Sequence, residues 1–153
     1  MEYKLYSSKF RLLKAFLIII TLVIFSSGCT VKLVSSYDEK TDNAVTELQK
    51  RVETFFIEAE GLANKPECKY EKHITFYQDT KVQVSAISVR AGALEKNEKT
   101  EQLVALLGNS IDTLEQLHKI DCFKPEQVVT LRSSFNSSIT AILKLELAKK
   151  RGE

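Results

Sequence analysis

The stretch DNAVTELQKRVETFFIEAEGL, residues 42–62, carries the clearest structural signal in the sequence. Its apolar side chains recur every three or four residues, a spacing that places them on one face of an α-helix. They are Val45, Leu48, Val52, Phe55, Phe56, Ala59 and Leu62. The pattern predicts an amphipathic helix that buries this face. Two starts are open: Ser36 to Glu39 fits the S-x-x-E capping box, and Asp42 is a second candidate cap.

A second helix is predicted downstream of residue 62. Pro66 and Glu67 suit a helix start, because proline is tolerated at the first position and an acidic side chain favours the positive helix end. Its stripe is Phe76, Thr80, Val84, Ile87, Ala91 and Leu94. Residues 81–89 also alternate well enough for a β-strand. A lone strand would have no partner in this chain, so helix is favoured.

Two further helices follow in the C-terminal half. After a polar break at residues 97–100, a third stripe runs through Leu103, Leu107, Ser110, Leu114 and Leu117, widened by Leu106 and Ile111. Pro125 and Glu126 then open a fourth helix with Val128, Leu131, Phe135, Ile139, Ile142 and Leu145 on one face. Only 5 Gly and 2 Pro are present, too few turn residues for a many-stranded β fold. Residues 38–153 are therefore predicted to form an all-α, antiparallel up-down four-helix bundle.

The first 28 residues have the organisation of a signal peptide. An apolar run spans residues 15–25, and as a helix its 11 residues would rise about 16 Å, half the hydrocarbon thickness of a membrane. That length favours a cleaved signal peptide over a transmembrane helix. A basic segment precedes the run, with Lys4, Lys9, Arg11 and Lys14 against Glu2.

At residues 26–29 the sequence Ser-Ser-Gly-Cys resembles the lipobox of bacterial lipoproteins. Gly28 and Cys29 match its two most restrictive positions, and Ser26 stands where leucine is commonest. The resemblance implies cleavage before Cys29 and acylation of that cysteine with palmitate-type chains. Residues 29–37 would then be the lipidated N-terminus and a tether. The residue after the cysteine, Thr30, is not acidic, which implies the periplasmic face of the outer membrane in a Gram-negative cell. The alternative is an ordinary secreted protein in which Cys29 is a plain thiol.

The net charge separates the leader from the rest of the chain. The whole sequence has a formal charge of +2, and residues 1–28 contribute +3 of it, so residues 29–153 carry −1. Charges of both signs are interspersed, as on solvated helix faces. A nucleic-acid partner, which needs a clustered positive surface, is therefore not expected.

Cys68 and Cys122 are the two cysteines left once Cys29 is acylated. Cysteines of a small domain in an oxidising compartment usually pair. In an up-down bundle the connections after the first and third helices lie at the same end, which would bring these two residues together. A disulfide between them is predicted. The alternative is a zinc site of Cys68, His73, His118 and Cys122, although the spacings match no familiar zinc motif.

No catalytic motif accompanies these residues. The sequence has no phosphate-binding glycine loop, G-x-S-x-G elbow or H-E-x-x-H pair. Ser133, Ser134, Ser137 and Ser138 crowd the fourth helix, where packing against another helix is favoured over a partner-facing strip.

We expect a non-enzymatic binding or accessory module that needs no cofactor. It would contact another envelope protein, and its lipid would hold it at the membrane. The alternatives are a metal-dependent protein or enzyme, a surface-exclusion or immunity-type lipoprotein of a mobile element, and a small-ligand carrier.

Overall fold

Four α-helices make up the folded part of the chain. The computed structural model describes Lys14 and residues 34–63 and 65–152. Cys29 and the remainder of the predicted leader lie outside these described residues, as does Leu33. The helices are α1 (Glu39–Leu62), α2 (Ile74–Gly92), α3 (Glu98–Ile120) and α4 (Pro125–Arg151). Among the described residues, no helix is long and apolar enough to cross a membrane.

Each helix packs against the one that follows it, and α4 returns to pack against α1. Because short connections join consecutive neighbours, the helices run alternately up and down around a shared core. This confirms the all-α four-helix prediction. Residues 81–89 lie within α2, so the strand alternative is wrong for this segment.

The buried face of α1 is the predicted stripe almost without change. Val45, Leu48, Val52, Phe55 and Phe56 are at most 2% exposed. They meet the inward faces of the other three helices in one hydrophobic cluster. Each side chain of this size stabilises the fold by about 1.5–3 kcal/mol relative to an exposed position. The periodicity of residues 42–62 therefore fixes the orientation of α1 in the bundle.

The buried face of α3 is rotated slightly from the prediction. Leu107, Ile111 and Leu114 are buried as expected, but Leu117 is 43% exposed and Leu106 is 61% exposed. Val104 and His118 occupy core positions instead. On this side α2 approaches closely, because a Cβ at Gly108 would lie only 3.3 Å from Val84 Cγ1.

Both predicted starts of α1 are wrong. Asp38 is the N-cap, and its carboxylate accepts a hydrogen bond from the Thr41 backbone N–H at 3.1 Å. The same carboxylate receives two hydrogen bonds from Arg90 on α2, at 2.5 and 2.6 Å. That tertiary contact explains why Asp38 caps the helix in place of Ser36 or Asp42.

The predicted start of α2 at Pro66 is also wrong. Pro66–Cys68 and Tyr70–Lys72 form two short 3₁₀ turns, with extended backbone at Lys69 between them. The α-helix begins only at Ile74. Cys68 in the first turn lies against Cys122 of the α3–α4 connection, so the chain crosses the end of the bundle before it turns into α2.

Candidate functional site

The four residues of the predicted Cys/His set come together at one end of the bundle. Cys68 and Cys122 lie within disulfide-bonding distance, with Cα atoms 5.5 Å apart. The ring centroids of His73 and His118 are 5.3 Å apart, and both side chains are buried. We call this end of the bundle, where the α1–α2 and α3–α4 connections meet, the disulfide end.

His118 uses both ring nitrogens inside the protein. Its Nε2 lies 2.6 Å from the Cys68 carbonyl oxygen, and its Nδ1 lies 2.7 Å from the Tyr77 hydroxyl. A carbonyl oxygen can only accept, so Nε2 carries the proton and donates it. In the neutral ring Nδ1 then accepts from the Tyr77 hydroxyl. This arrangement assigns the tautomer of His118.

The same arrangement leaves little for a metal ion at the disulfide end. Zinc needs deprotonated thiols and free ring nitrogens. Here the two sulfurs face each other, and His73 Nε2 lies 3.2 Å from the Glu67 carbonyl oxygen. Within the described ranges, no group of three or more His, Cys, Asp or Glu side chains is placed to hold a metal ion. The residues fit a structural cross-link better than a zinc site.

Aromatic rings enclose these polar groups. Phe55 is central, with ring centroids 4.0–6.4 Å from those of its neighbours Phe56, His73, Phe76, Tyr77, His118 and Phe123. Removal from water lowers the pKa of His118 and raises the pKa of Tyr77, since burial disfavours the charged form of each. Both groups are therefore neutral at pH 7.

A charged cluster that the sequence did not reveal borders this aromatic core. Glu115 accepts hydrogen bonds from the Tyr70 hydroxyl at 2.7 Å, from Lys81 at 2.5 Å and from Lys119, whose ammonium is 2.9 Å away. The donation from Lys81 and the other two partners lowers the pKa of Glu115 to about 2. The cluster ties α2 and α3 together beside the disulfide end.

A second missed cluster lies at the opposite end, where the chain enters the bundle. We call it the entry end; it holds residues 35–38, the α2–α3 connection and the last turns of α4. The Lys149 ammonium, at 6% residue exposure, donates to Glu146 at 2.6 Å, to Thr100 at 2.8 Å and to Asn97 at 2.5 Å. Glu146 is fully buried. The signal was present, because positions 146 and 149 continue the buried stripe of α4 beyond Ile142.

The serine-rich face of α4 does not pack against another helix. Ser133, Ser134 and Ser137 are exposed and Ser138 is half-buried, so the favoured interpretation as a helix contact is wrong for the first three. The hydroxyls of Ser137 and Ser138 donate to the carbonyl oxygens four residues earlier in their own helix. Ser133 and Ser137 line an open groove on the outside of the bundle, which the charged side chains of Glu60, Arg132 and Lys144 also line.

Comparisons with known proteins found no relative of this chain. No protein-family model matches the chain, and neither curated proteins nor solved structures gave a match. The case for a function therefore rests on the chain's own residues, on the bundle and on the resemblance of residues 26–29 to a lipobox.

Proposed function

We propose that the protein is a lipid-anchored lipoprotein of the bacterial envelope that acts as a non-enzymatic binding module for another envelope protein. Acylation of Cys29 would supply the anchor. The bundle would be the part that meets the partner. Confinement to a membrane raises the effective concentration of a module toward partners on the same surface, so modest intrinsic affinity suffices.

The observation that carries this proposal is the opposition of the two ends of the bundle. Ser35 contacts the α2–α3 connection, through Lys96 and Asn97, at the entry end. Cys68 and Cys122 lie at the other end. A helix of the length of α1, 24 residues, rises about 36 Å. The disulfide end would therefore lie about the length of a helix away from the entry end, where the chain from the lipid anchor reaches the bundle.

Exposed apolar side chains at the disulfide end offer a surface for contact. Ile120 is 81% exposed, Leu117 is 43% exposed and Ile74 is 37% exposed. Single exposed apolar residues are ordinary, but these three sit on the helix ends next to the two connections that Cys68 and Cys122 hold together. A surface that is rigid before binding loses little conformational entropy in a complex. We name Ile74, Leu117 and Ile120 the distal surface.

The perturbed groups of the bundle support a structural over a catalytic role. His118, Tyr77 and Glu115 all have shifted pKa values, which often mark active sites. Each of them nevertheless has its hydrogen-bonding partners within the protein. None is aimed at open space where a substrate would need it, and this favours binding through the distal surface.

Site-specific photocrosslinking in living cells tests the proposal. A photoreactive amino acid at Ile120 should give a discrete adduct with one envelope protein. The matched control is Leu147, an apolar side chain that is 47% exposed but lies near the entry end. Adducts that form equally from both positions, or only from position 147, would contradict a contact through the distal surface.

A further inference from the structure

Residues 35–38 make specific contacts with the entry end of the bundle and do not behave as a simple linker. The Ser35 N–H donates to the Lys96 carbonyl oxygen at 2.9 Å, and the Ser35 hydroxyl donates to Asn97 Oδ1 at 2.8 Å. Asp38 is held by the two hydrogen bonds from Arg90. We call residues 35–38 the strap.

The strap also reaches the last helix. The Lys150 ammonium lies 4.8 Å from the centroid of the Tyr37 ring, a cation–π distance. The Tyr37 hydroxyl donates to Asp42 in the first turn of α1 at 2.7 Å. The strap thus contacts α1, α2, the α2–α3 connection and α4.

Asn97 is the residue on which the strap depends most. It occupies the N-cap position of α3, where asparagine normally bonds the helix's own N–H groups, yet its side chain makes no such bond. Its Oδ1 instead accepts from both Ser35 and Lys149, and its Nδ2 donates to the Ala91 carbonyl oxygen at 2.9 Å. At 2% exposure it is a buried receptor for the strap.

The Lys149 ammonium fixes the direction in which this amide points. An ammonium group can only donate, so it requires the oxygen of Asn97 and not the nitrogen. With the oxygen so placed, the Ser35 hydroxyl finds an acceptor and the amide nitrogen faces the Ala91 carbonyl. Glu146 and Thr100 complete the partners of this buried cation. The charge of Lys149 is thereby coupled to the hydrogen bond between Ser35 and Asn97.

The backbone of Lys96, which accepts the hydrogen bond from the Ser35 N–H, has an unusual conformation. Its φ of 60° is in the left-handed region, and it is the one non-glycine residue with positive φ in the described part of the chain. Such a conformation has an energetic cost and persists where surrounding contacts determine it. Here the Lys96 carbonyl accepts the Ser35 N–H.

We infer that the strap is an integral part of the fold, and that the buried Lys149–Glu146 pair locks it in place through Asn97. If Cys29 carries the lipid, as proposed above, the tether between the lipid and the bundle shortens from residues 30–37 to residues 30–34. Its maximum reach falls from about 28 Å to about 18 Å. The Lys149–Glu146 pair would therefore limit how far the entry end can lie from the membrane.

Hydrogen–deuterium exchange of the membrane-extracted protein in detergent, resolved to single residues by fragmentation, tests this inference. The Ser35 amide should be protected, and replacement of the buried pair by Glu146→Gln with Lys149→Met should speed its exchange about two- to tenfold, the effect of losing one hydrogen bond of ordinary strength. The double replacement leaves no buried charge behind. Amides in the middle of α3 should keep their protection.

Two controls make the outcome decisive. The Asn97→Ala variant should speed exchange of the Ser35 amide as the double variant does. Asn109 is an exposed asparagine of α3, and the Asn109→Ala variant should leave the Ser35 amide protected. Full-chain Cys29→Ser should retain the protection, because the strap depends on the bundle alone, so a failed anchor cannot be mistaken for a failed strap. Rapid exchange of Ser35 in the unmodified protein, or unchanged exchange in the Asn97→Ala variant, would overturn the inference.

Discussion

His118 donates a hydrogen bond from Nε2 to the carbonyl oxygen of Cys68, 2.6 Å away. The two residues are 50 positions apart in the chain. The bond links the last turn of α3 to the first 3₁₀ turn after α1, beside the contact between Cys68 and Cys122. A hydrogen bond and a pair of cysteines at disulfide-bonding distance thus join the same two segments. The chemistry of His118 therefore bears directly on the stability of the disulfide end.

Stability should fall as the pH drops below about 6.5, the ordinary pKa of an unfolded histidine. Burial lowers the pKa of His118 in the folded protein, so the unfolded chain takes up this proton first. Between the two pKa values one group changes the unfolding free energy by about 1.4 kcal/mol per pH unit, with less stability at lower pH. Urea denaturation at pH 7.5, 6.5 and 5.5 measures the slope.

The His118→Gln variant is the control for that prediction. It should be less stable at pH 7.5, since it loses the contacts of the ring, but its stability should change less between pH 6.5 and 5.5. Parallel curves for the two proteins would show that His118 does not supply the slope. Below about pH 4 both proteins should weaken further, because the hydrogen bonds that lower the pKa of Glu115 are lost on protonation.

Loss of the cross-link should cost a large share of the total stability. Cys68 and Cys122 enclose a separation of 54 residues, and the loop-entropy estimate for that length is about 4 kcal/mol. The unfolding free energy of a whole small domain is about 5–15 kcal/mol. The double variant Cys68→Ser with Cys122→Ser should therefore show a much lower midpoint in urea than the oxidised protein. The same drop should follow treatment of the unmodified protein with a reductant, and an unchanged midpoint would mean that no bond forms.

The sequence was sufficient for the elements whose signals are local. The apolar period of residues 42–62 predicts α1 and its buried face, and the up-down topology predicts that Cys68 and Cys122 meet. The predicted start of α2 at Pro66 is wrong although Pro66 and Glu67 satisfy two local rules, proline at the first helical position and an acidic side chain in the first turn. At these residues a tertiary contact between Cys68 and Cys122, 54 residues apart, outweighs the local preference for an α-helix.

The entry end escaped prediction for a related reason. Lys149 lies among the basic residues in the last turn of α4, where a cation complements the negative helix end, and charged side chains are rarely buried. Its partners Asn97 and Thr100 lie 52 and 49 residues away, so no local pattern connects them. The continued period through positions 146 and 149 was the available clue.

Breaking the buried pair from one side should destabilise the fold strongly. Lys149→Met leaves the fully buried Glu146 carboxylate without its cation, which costs about 3–5 kcal/mol. Replacing both residues, Glu146→Leu with Lys149→Met, should recover most of that loss because no charge then remains buried. Urea denaturation of the two single variants and the double variant completes a double-mutant cycle. Additive losses would show that the two side chains do not interact.

The intact mass of the protein extracted from membranes should equal that of residues 29–153 plus acyl chains. The resemblance of residues 26–29 to a lipobox implies both the cleavage site and the modified residue. One acyl chain binds a bilayer only marginally and two or more bind firmly, so a diacylglycerol on Cys29 should keep the protein in the membrane fraction through a salt wash. The Cys29→Ser variant should lose the acyl mass and keep residues 1–28. Alkylation of the extracted protein should add mass at Cys68 and Cys122 only after reduction. A chain that is cleaved but carries no lipid, with two thiols that react before reduction, would contradict the anchor and the cross-link and would reopen the Cys/His metal alternative.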